Sequence, residues 1–336
     1  MKVIIDNKIP YLEGVLEAVG IEAVFLPGRE FTPAVVKDAD ALLVRTRTRC
    51  DRRLLEGSRV RFIGTATIGY DHIDTAYCAE AGIAWCNCPG CNAGAVEQYV
   101  HAVLLLLQQE KGISLAGTCL GVIGVGHVGS RICRLGERLG MRVLQNDPPR
   151  ADRGEEGFAD LAVLARECDI LSFHTPLLTD GPYRTFHLAD AAFFRSLARR
   201  PYVINTSRGE VMATDALLEA LDGGQVAGAV LDVWENEPDI DLRLLDRVFI
   251  GTPHIAGYSA DGKANATRMV LEAFSRFFGI DVPFQADLPA LPEAVTATDP
   301  VTRQLQAYNP HRDCEALRAC PALFEQLRGD YPLRRE

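Results

Sequence analysis

Three side chains far apart in this chain suit the handling of a proton and a carboxylate on a small oxygenated molecule: Arg208, Glu237 and His254. An imidazole titrates near neutrality, so His254 suits a general base that draws the proton from a hydroxyl. Glu237 suits a hydrogen bond to the other ring nitrogen, which would fix the tautomer and stabilise the imidazolium. Arg208 offers a forked cation that matches a carboxylate and polarises a developing carbonyl. Taken singly, each is explained as well by a surface ion pair or a helix cap. Each also follows an apolar run of strand length, and together they point to oxidation of an alcohol by hydride transfer. Asp232, between Arg208 and Glu237, suits positioning the carboxamide of a nicotinamide.

The elements that must hold these residues are organised around Leu120–Asp147. An apolar strand, Leu120–Val125, runs into Gly124, Gly126 and Gly129 in the spacing G-x-G-x-x-G, with His127 and Val128 inside the loop. Apolar Ile132, Leu135 and Leu139 follow at helical spacing, Gly140 stops that helix, and Met141–Gln145 is a second strand leading to Asp147. This is the half-unit that binds a dinucleotide. Gly124 permits the tight turn, Gly126 lets a pyrophosphate approach the backbone, and Gly129 lets helix and strand close. The helix start attracts the diphosphate through its free N–H groups and dipole. Asp147 can accept from ribose hydroxyls and would repel a 2′-phosphate, so the cofactor expected is NAD rather than NADP.

Further strands are expected at Ile170–Phe173, Tyr202–Asn205, Val226–Leu231 and Val248–Gly251, with helical crossovers between them. They would bring the turns carrying Arg208, Glu237 and His254 to one sheet edge. Ahead of this half, short strands at Val3–Asp6, Ala23–Leu26, Ala41–Arg45, Arg61–Ala66 and Ile83–Cys86 predict a smaller parallel α/β domain, with a helix over Tyr11–Gly20. Arg45, Arg47 and Arg49 follow the end of one of its strands, where ligands gather in open parallel sheets. A phosphate or carboxylate site and a solvated charged edge explain that cluster equally well. Long amphipathic helices over Asn92–Gly112 and Gly262–Gly279 carry the chain between the two domains. Ile280–Asp299, rich in Pro and Ala, reads as a linker, and Val301–Glu336 as short helical pieces.

The fold class expected is therefore α/β, with two doubly wound parallel-sheet domains and a small C-terminal extension. The domain boundaries expected are 1–95 with 258–285 for a flavodoxin-like substrate domain, 96–257 for the Rossmann domain, and 286–336 for the C-terminal segment. At 336 residues the chain is long enough for two cores. A formal charge of −10, with no basic stripe, argues against nucleic acid. No apolar run approaches a membrane span, and the N-terminus reads as a first strand rather than a signal peptide, so a cytoplasmic protein is expected. The ten cysteines are scattered through apolar segments, which favours free thiols. Cys86, Cys88 and Cys91 form a C-x-C-x-x-C cluster without a convincing fourth ligand, so no metal is expected.

The pattern G-x-G-x-x-G, N-x-x-R-G, L-D-V-W-x-x-E-P and T-P-H-I-A-G resembles the D-2-hydroxyacid dehydrogenases, whose Arg/Glu/His set falls here on Arg208, Glu237 and His254. A narrower resemblance within that family rests on Gly64-Thr65-Ala66-Thr67, Asp71-His72, Pro89–Ala93, Asp147–Gly154, Phe173–Leu177, Asp180–Tyr183 and Ile250–Tyr258. It implies NAD-dependent oxidation of 4-phospho-D-erythronate to 2-oxo-3-hydroxy-4-phosphobutanoate, a step of bacterial pyridoxal phosphate synthesis. It places substrate at Thr46, Thr67 and Tyr258, and gives Arg45 a phosphate to bind. It places NAD at Asp147, Thr175, Thr206, Ser207, Arg208, Asp232 and Gly257, besides the glycine loop. Thr46 stands where the family has a serine, which keeps the hydroxyl. A homodimer is implied, built by a C-terminal domain of which this chain carries a shortened version. Arg334 or Arg335, two cations at the end of an acidic chain, are expected to reach a partner's active site. Two other readings stay open: a broader D-2-hydroxyacid or phosphoglycerate dehydrogenase, and an NAD-sensing, corepressor-like binding protein.

Overall fold

The alternation of strand-length apolar runs with helices produces two parallel sheets in the computed structural model, which describes residues 1–290, 298–332 and 334–336. Chain proximity separates two units. Met1–Asn92, Ser259–Leu291 and Arg335–Glu336 make the first; Ala93–Tyr258 and Pro292–Arg334 make the second.

The first unit holds five strands, β1 (Lys2–Asp6), β2 (Glu22–Leu26), β3 (Ala41–Val44), β4 (Phe62–Thr65) and β5 (Ala84–Cys86). Their order is β2-β1-β3-β4-β5, all parallel. Ile4, Ile5, Leu42 and Leu43 are fully buried, as a sheet covered on both faces requires. The helix Ala260–Phe278 lies against β4 at Gly64, where an added Cβ would come 2.6 Å from Val270 Cγ1. Ser259 caps that helix by accepting the Gly262 N–H at 2.8 Å, a cap worth about 1 kcal/mol. The helix expected over Tyr11–Gly20 does not form. Tyr11 (φ 62°) and Gly14 (φ 77°) take left-handed backbone, which interrupts the helical run, and only a short 3-10 turn, Glu17–Val19, remains.

The second unit holds six strands, β6 (Cys119–Ile123), β7 (Arg142–Asn146), β8 (Ile170–Phe173), β9 (Tyr202–Asn205), β10 (Gly228–Leu231) and β11 (Ile250–Gly251). The order β11-β10-β9-β8-β6-β7 is the doubly wound one, parallel throughout. The helix Ala93–Lys111 buries Tyr99, Val100, Val103, Leu104 and Leu107, each at 0 % exposure.

The helices that follow the proline-rich stretch pack within this second unit, while Arg335 and Glu336 fall in the first. Helices Pro310–Ala319 and Phe324–Gly329 bury Cys314, Leu317 and Phe324 against it. The Gly251 N–H of β11 donates to Cys314 Sγ at 3.3 Å, and Arg318 donates to the Val248 carbonyl at 2.6 Å. Of the proline-rich stretch between 280 and 299, residues 291–297 lie outside the described residues, and 281–290 carry no regular structure. All ten cysteines are free thiols. Cys88 donates to the carbonyls of Thr65 and Ala266, and burial pushes the Cys91 thiol up to about 12. No helix among the described residues is long and apolar enough to cross a membrane.

Candidate active site

The glycine loop joins β6 to the helix His127–Arg138. Gly124 adopts φ 85°, and a Cβ there would meet the His174 backbone at 2.8 Å. A Cβ on Gly129 would fall 2.0 Å from the Gly124 carbonyl, so helix and turn touch with no room for a side chain. Above Gly126, by contrast, a Cβ would meet nothing within 4 Å. The loop is thus closed behind and open in front, as a pyrophosphate cradle requires. Asp147 Oδ2 accepts the Val125 N–H at 2.8 Å, and Arg150 donates to the Val125 carbonyl at 2.8 Å. The carboxylate after β7 therefore ties down the glycine loop and keeps lone pairs for a further donor. The hydroxyl oxygen of Thr175, beside Gly124, is buried and has no hydrogen-bond partner. An unsatisfied buried hydroxyl costs stability unless a ligand completes it. Loop, carboxylate and hydroxyl fit a dinucleotide.

At the same sheet edge, Asn205, Leu231 and Gly251 stand in register on β9, β10 and β11. The turns that begin at Thr206, Asp232 and Thr252 consequently leave side by side. The first is knitted by Asn205, whose Oδ1 accepts from both the N–H and the hydroxyl of Ser207, and whose amide donates to the Arg208 carbonyl at 2.9 Å. Gly209 follows, with the Trp234 carbonyl carbon 1.9 Å from where a Cβ would stand. Only glycine lets the Arg208 turn lie against the Trp234 segment. The Arg208 guanidinium donates to the Ser207 carbonyl at 2.8 Å.

His254 Nδ1 donates to Glu237 Oε2 at 2.8 Å, and Glu237 Oε1 accepts the Trp234 N–H at 3.0 Å. Burial alone would raise the Glu237 carboxyl; the bond from His254, its charge and the Trp234 N–H outweigh that and hold it below the usual range. His254 itself sits at φ 57°, a left-handed conformation that a histidine adopts at a cost. Asp232 stabilises it from below. Its two oxygens accept the Ile255 N–H at 2.7 Å, the Ala256 N–H at 2.9 Å and the Thr252 hydroxyl at 2.7 Å. Burial raises the Asp232 carboxyl despite these bonds and the His254 charge. Asp232 is 1 % exposed and so builds the His254 turn directly. An imidazole held through Nδ1 by a carboxylate presents Nε2 as its basic atom, the arrangement that takes a proton from a hydroxyl.

In the first unit, Arg45, Thr46 and Thr67 leave the carboxyl ends of β3 and β4, which pair with Val44 opposite Thr65. Thr46 is exposed and Arg45 half-buried. Thr67 bonds the Thr65 hydroxyl at 2.7 Å and donates to the Gly69 carbonyl at 2.8 Å; Thr65 in turn meets His72 Nε2 at 3.0 Å. Tyr258, in the second unit, packs edge-on against Tyr331. Gly257 lies between it and Ala256, whose carbonyl accepts from Arg334 at 2.6 Å.

Three features escaped sequence reading. Lys263 faces Arg45 and Lys8: burial, then the charges of these two neighbours, push its ammonium down to about 8. His174 joins Ser172 at 2.8 Å to Thr206 at 3.2 Å, and burial pushes its imidazole down to about 3, so it is a neutral strut between the ends of β8 and β9. Arg328 lies 3.6 Å from Glu237. Lone basic residues at unremarkable spacing carry no signal along the chain. The two cations singled out at the chain end are engaged within this chain. Arg334 donates to the carbonyls of Ala95, Ile255 and Ala256 and lies over the Tyr308 ring, and Arg335 pairs with Asp261 at 2.9 Å.

Comparison with known proteins bears on this geometry. Residues 92–256 match the family model of the D-isomer specific 2-hydroxyacid dehydrogenase, NAD binding domain. The chain is 56 % identical to the erythronate-4-phosphate dehydrogenase of Bacteroides fragilis over 338 aligned residues, covering all of this chain and 97 % of that one. It is 44 % identical to the enzyme of the same description from Porphyromonas gingivalis, over all of this chain and 94 % of the relative. Among solved structures it resembles D-lactate dehydrogenase from Aquifex aeolicus complexed with NAD and lactic acid (TM-score 0.68, 26 % identity, 83 % of this chain and 96 % of that one). It also resembles NAD-bound 3-phosphoglycerate dehydrogenase from Entamoeba histolytica (TM-score 0.69, 25 % identity, 85 % of this chain and 98 % of that one).

Proposed function

The chain belongs to the erythronate-4-phosphate dehydrogenases of the D-2-hydroxyacid dehydrogenase family, and from that membership we propose that it oxidises 4-phospho-D-erythronate to 2-oxo-3-hydroxy-4-phosphobutanoate with NAD, in pyridoxal 5′-phosphate synthesis. Neither a broader 2-hydroxyacid range nor a purely NAD-sensing role is favoured beside 56 % identity over the whole chain. The observation that carries the chemistry is the His254–Glu237 pair at 2.8 Å, held on the sheet edge that also bears the glycine loop.

Bound NAD supplies the hydride acceptor. His254 takes the proton of the C2 hydroxyl on Nε2 while the C2 hydrogen leaves with its electron pair, and a carbonyl forms between C2 and its oxygen. Glu237 holds the proton on Nδ1 and offsets the imidazolium charge. Arg208 binds the C1 carboxylate and draws charge toward the forming carbonyl. Gly124, Gly126, His127, Val128 and Gly129 receive the diphosphate; Asp147 takes the ribose hydroxyls. Thr175, Thr206, Ser207, Asp232 and Gly257 complete the nucleotide site. Asp232 does so largely by shaping the 252–256 turn, because its oxygens already accept three bonds from it. Arg45, Thr46 and Thr67, with Tyr258, bind the substrate, and Lys8 and Lys263 add positive charge for the phosphate beside Arg45.

A homodimer and a cytoplasmic location are proposed with this activity. The dimer rests on the family resemblance, with 286–336 as its C-terminal segment and 1–95, 258–285 and 96–257 as the substrate and nucleotide domains. The location rests on the ten free thiols, which suit a reducing compartment. Reduced nicotinamide formed from NAD and 4-phospho-D-erythronate, followed by its absorbance, tests the activity. Equal turnover of erythronate lacking the phosphate would reject the phosphate assignment.

A further inference from the structure

The C-terminal helix Phe324–Gly329 brings a cation to the acid–base pair. Arg328 Nη1 lies 3.6 Å from Glu237 Oε2, the same oxygen that accepts from His254 Nδ1 at 2.8 Å. The Arg328 side chain is 28 % exposed, so the pairing is shielded rather than solvated. Its guanidinium also hydrogen-bonds the Tyr258 hydroxyl. The helix itself is anchored by Phe324, 1 % exposed in the core of the second unit. One side chain therefore touches the carboxylate that orients the base and the tyrosine assigned to the substrate.

We propose that Arg328 is a positioning residue for the reaction: it holds Glu237 and the Tyr258 hydroxyl in place and supplies a fixed positive charge to the Glu237–His254 pair. This rests on the dehydrogenase reading above. A guanidinium stays charged throughout the working pH range, so it shares the carboxylate's negative charge with the imidazolium. The pair then gives up its proton at lower pH than it would without Arg328. The other charged groups around the pair are Asp232, which faces His254, and Glu325, 3.8 Å from Arg328 on the same helix.

The test is the pH profile of kcat/KM for 4-phospho-D-erythronate in wild type, Arg328→Met, Arg328→Lys and Glu325→Gln. The acid limb reports the pair. Loss of the charge in Arg328→Met moves that limb to higher pH by up to about one unit, and raises KM several-fold through Tyr258. Arg328→Lys restores most of the wild-type limb. Glu325→Gln, a surface change that leaves Arg328 less neutralised, moves it slightly the other way. Titration of the His254 imidazole by NMR, without substrate, shows the same order of variants. A limb that stays in place in folded Arg328→Met, or moves equally in Arg328→Lys, overturns the proposal; so does an unmoved imidazole titration. If Arg328→Met does not fold, an unmoved Glu325→Gln limb and titration overturn it. Failure of wild type to reduce NAD defeats the dehydrogenase reading instead, and the NMR titration still decides the role of Arg328.

Discussion

Glu237 Oε2 and His254 Nδ1 are 2.8 Å apart although the residues follow the ends of two different strands, β10 and β11. What brings them together is backbone register, Leu231 opposite Gly251, and a buried carboxylate, Asp232, that binds the N–H groups directly after His254. The pair is thus built by the sheet and by a neighbour that need not touch the substrate.

Replacing His254 by Ala removes the base without touching the glycine loop. Turnover at neutral pH falls by roughly 10²–10⁴-fold, while NAD still binds, as followed by quenching of protein fluorescence. Substantial residual turnover would remove His254 from the base role.

Glu237→Gln separates orientation from charge, because the amide keeps the shape and loses the charge. Turnover falls by about 10²-fold or more. The Glu237 carboxyl is held below its usual range in the folded chain, chiefly by the His254 bond against the opposing effect of burial. Its contribution to stability is therefore present above the unfolded-state carboxylate value and is lost as pH falls through the lower folded-state value. Wild type should be more stable than Glu237→Gln in urea at neutral pH, with the gap closing in acid.

Asp147→Ala tests a double duty. The carboxylate accepts the Val125 N–H at 2.8 Å, so its loss leaves a loop donor unpaired as well as a ribose unheld. NAD affinity falls by tenfold or more, and the melting temperature falls as well, by an amount matching about 1–3 kcal/mol. A carboxylate that met only the cofactor would leave the melting temperature of the free protein unchanged.

Lys263 supplies a pH dependence of a different sign. With its ammonium pushed down to about 8 by burial and then by Arg45 and Lys8, it loses its charge as pH rises through that value in the free protein. The KM for a phosphorylated substrate rises above that pH. In Lys263→Met the KM is higher at neutral pH and flatter across the same range.

Much of this was legible along the chain, for reasons that can be named. Glycines at 124, 126 and 129 and the carboxylate at 147 sit within one local βαβ half-unit, where spacing alone implies geometry. The strands could be read from apolar runs because a parallel sheet buries both faces. The helix expected at Tyr11–Gly20 failed because left-handed backbone at Tyr11, which its residue type does not announce, and at Gly14 interrupts the run. Arg328, Lys263 and His174 were invisible for another reason: each acts through a partner 32 or more residues away, and nothing in its local sequence distinguishes it. Arg334 is a further case: its guanidinium donates to the carbonyls of Ala95, Ile255 and Ala256, all distant in sequence, and nothing beside it in the chain marks those partners.

The chemistry assigned to this chain is removal of a hydride from one carbon and a proton from its hydroxyl in a phosphorylated 2-hydroxy acid. The direct measurement is the initial rate of NADH formation with 4-phospho-D-erythronate, set beside erythronate and D-lactate at equal concentration. The kcat/KM for the phosphorylated acid should be at least about 10²-fold above the others, since a charged phosphate meeting Arg45, Lys8 and Lys263 is worth several charge-assisted bonds. Equal rates for all three acids, or NADH from none of them, would contradict it.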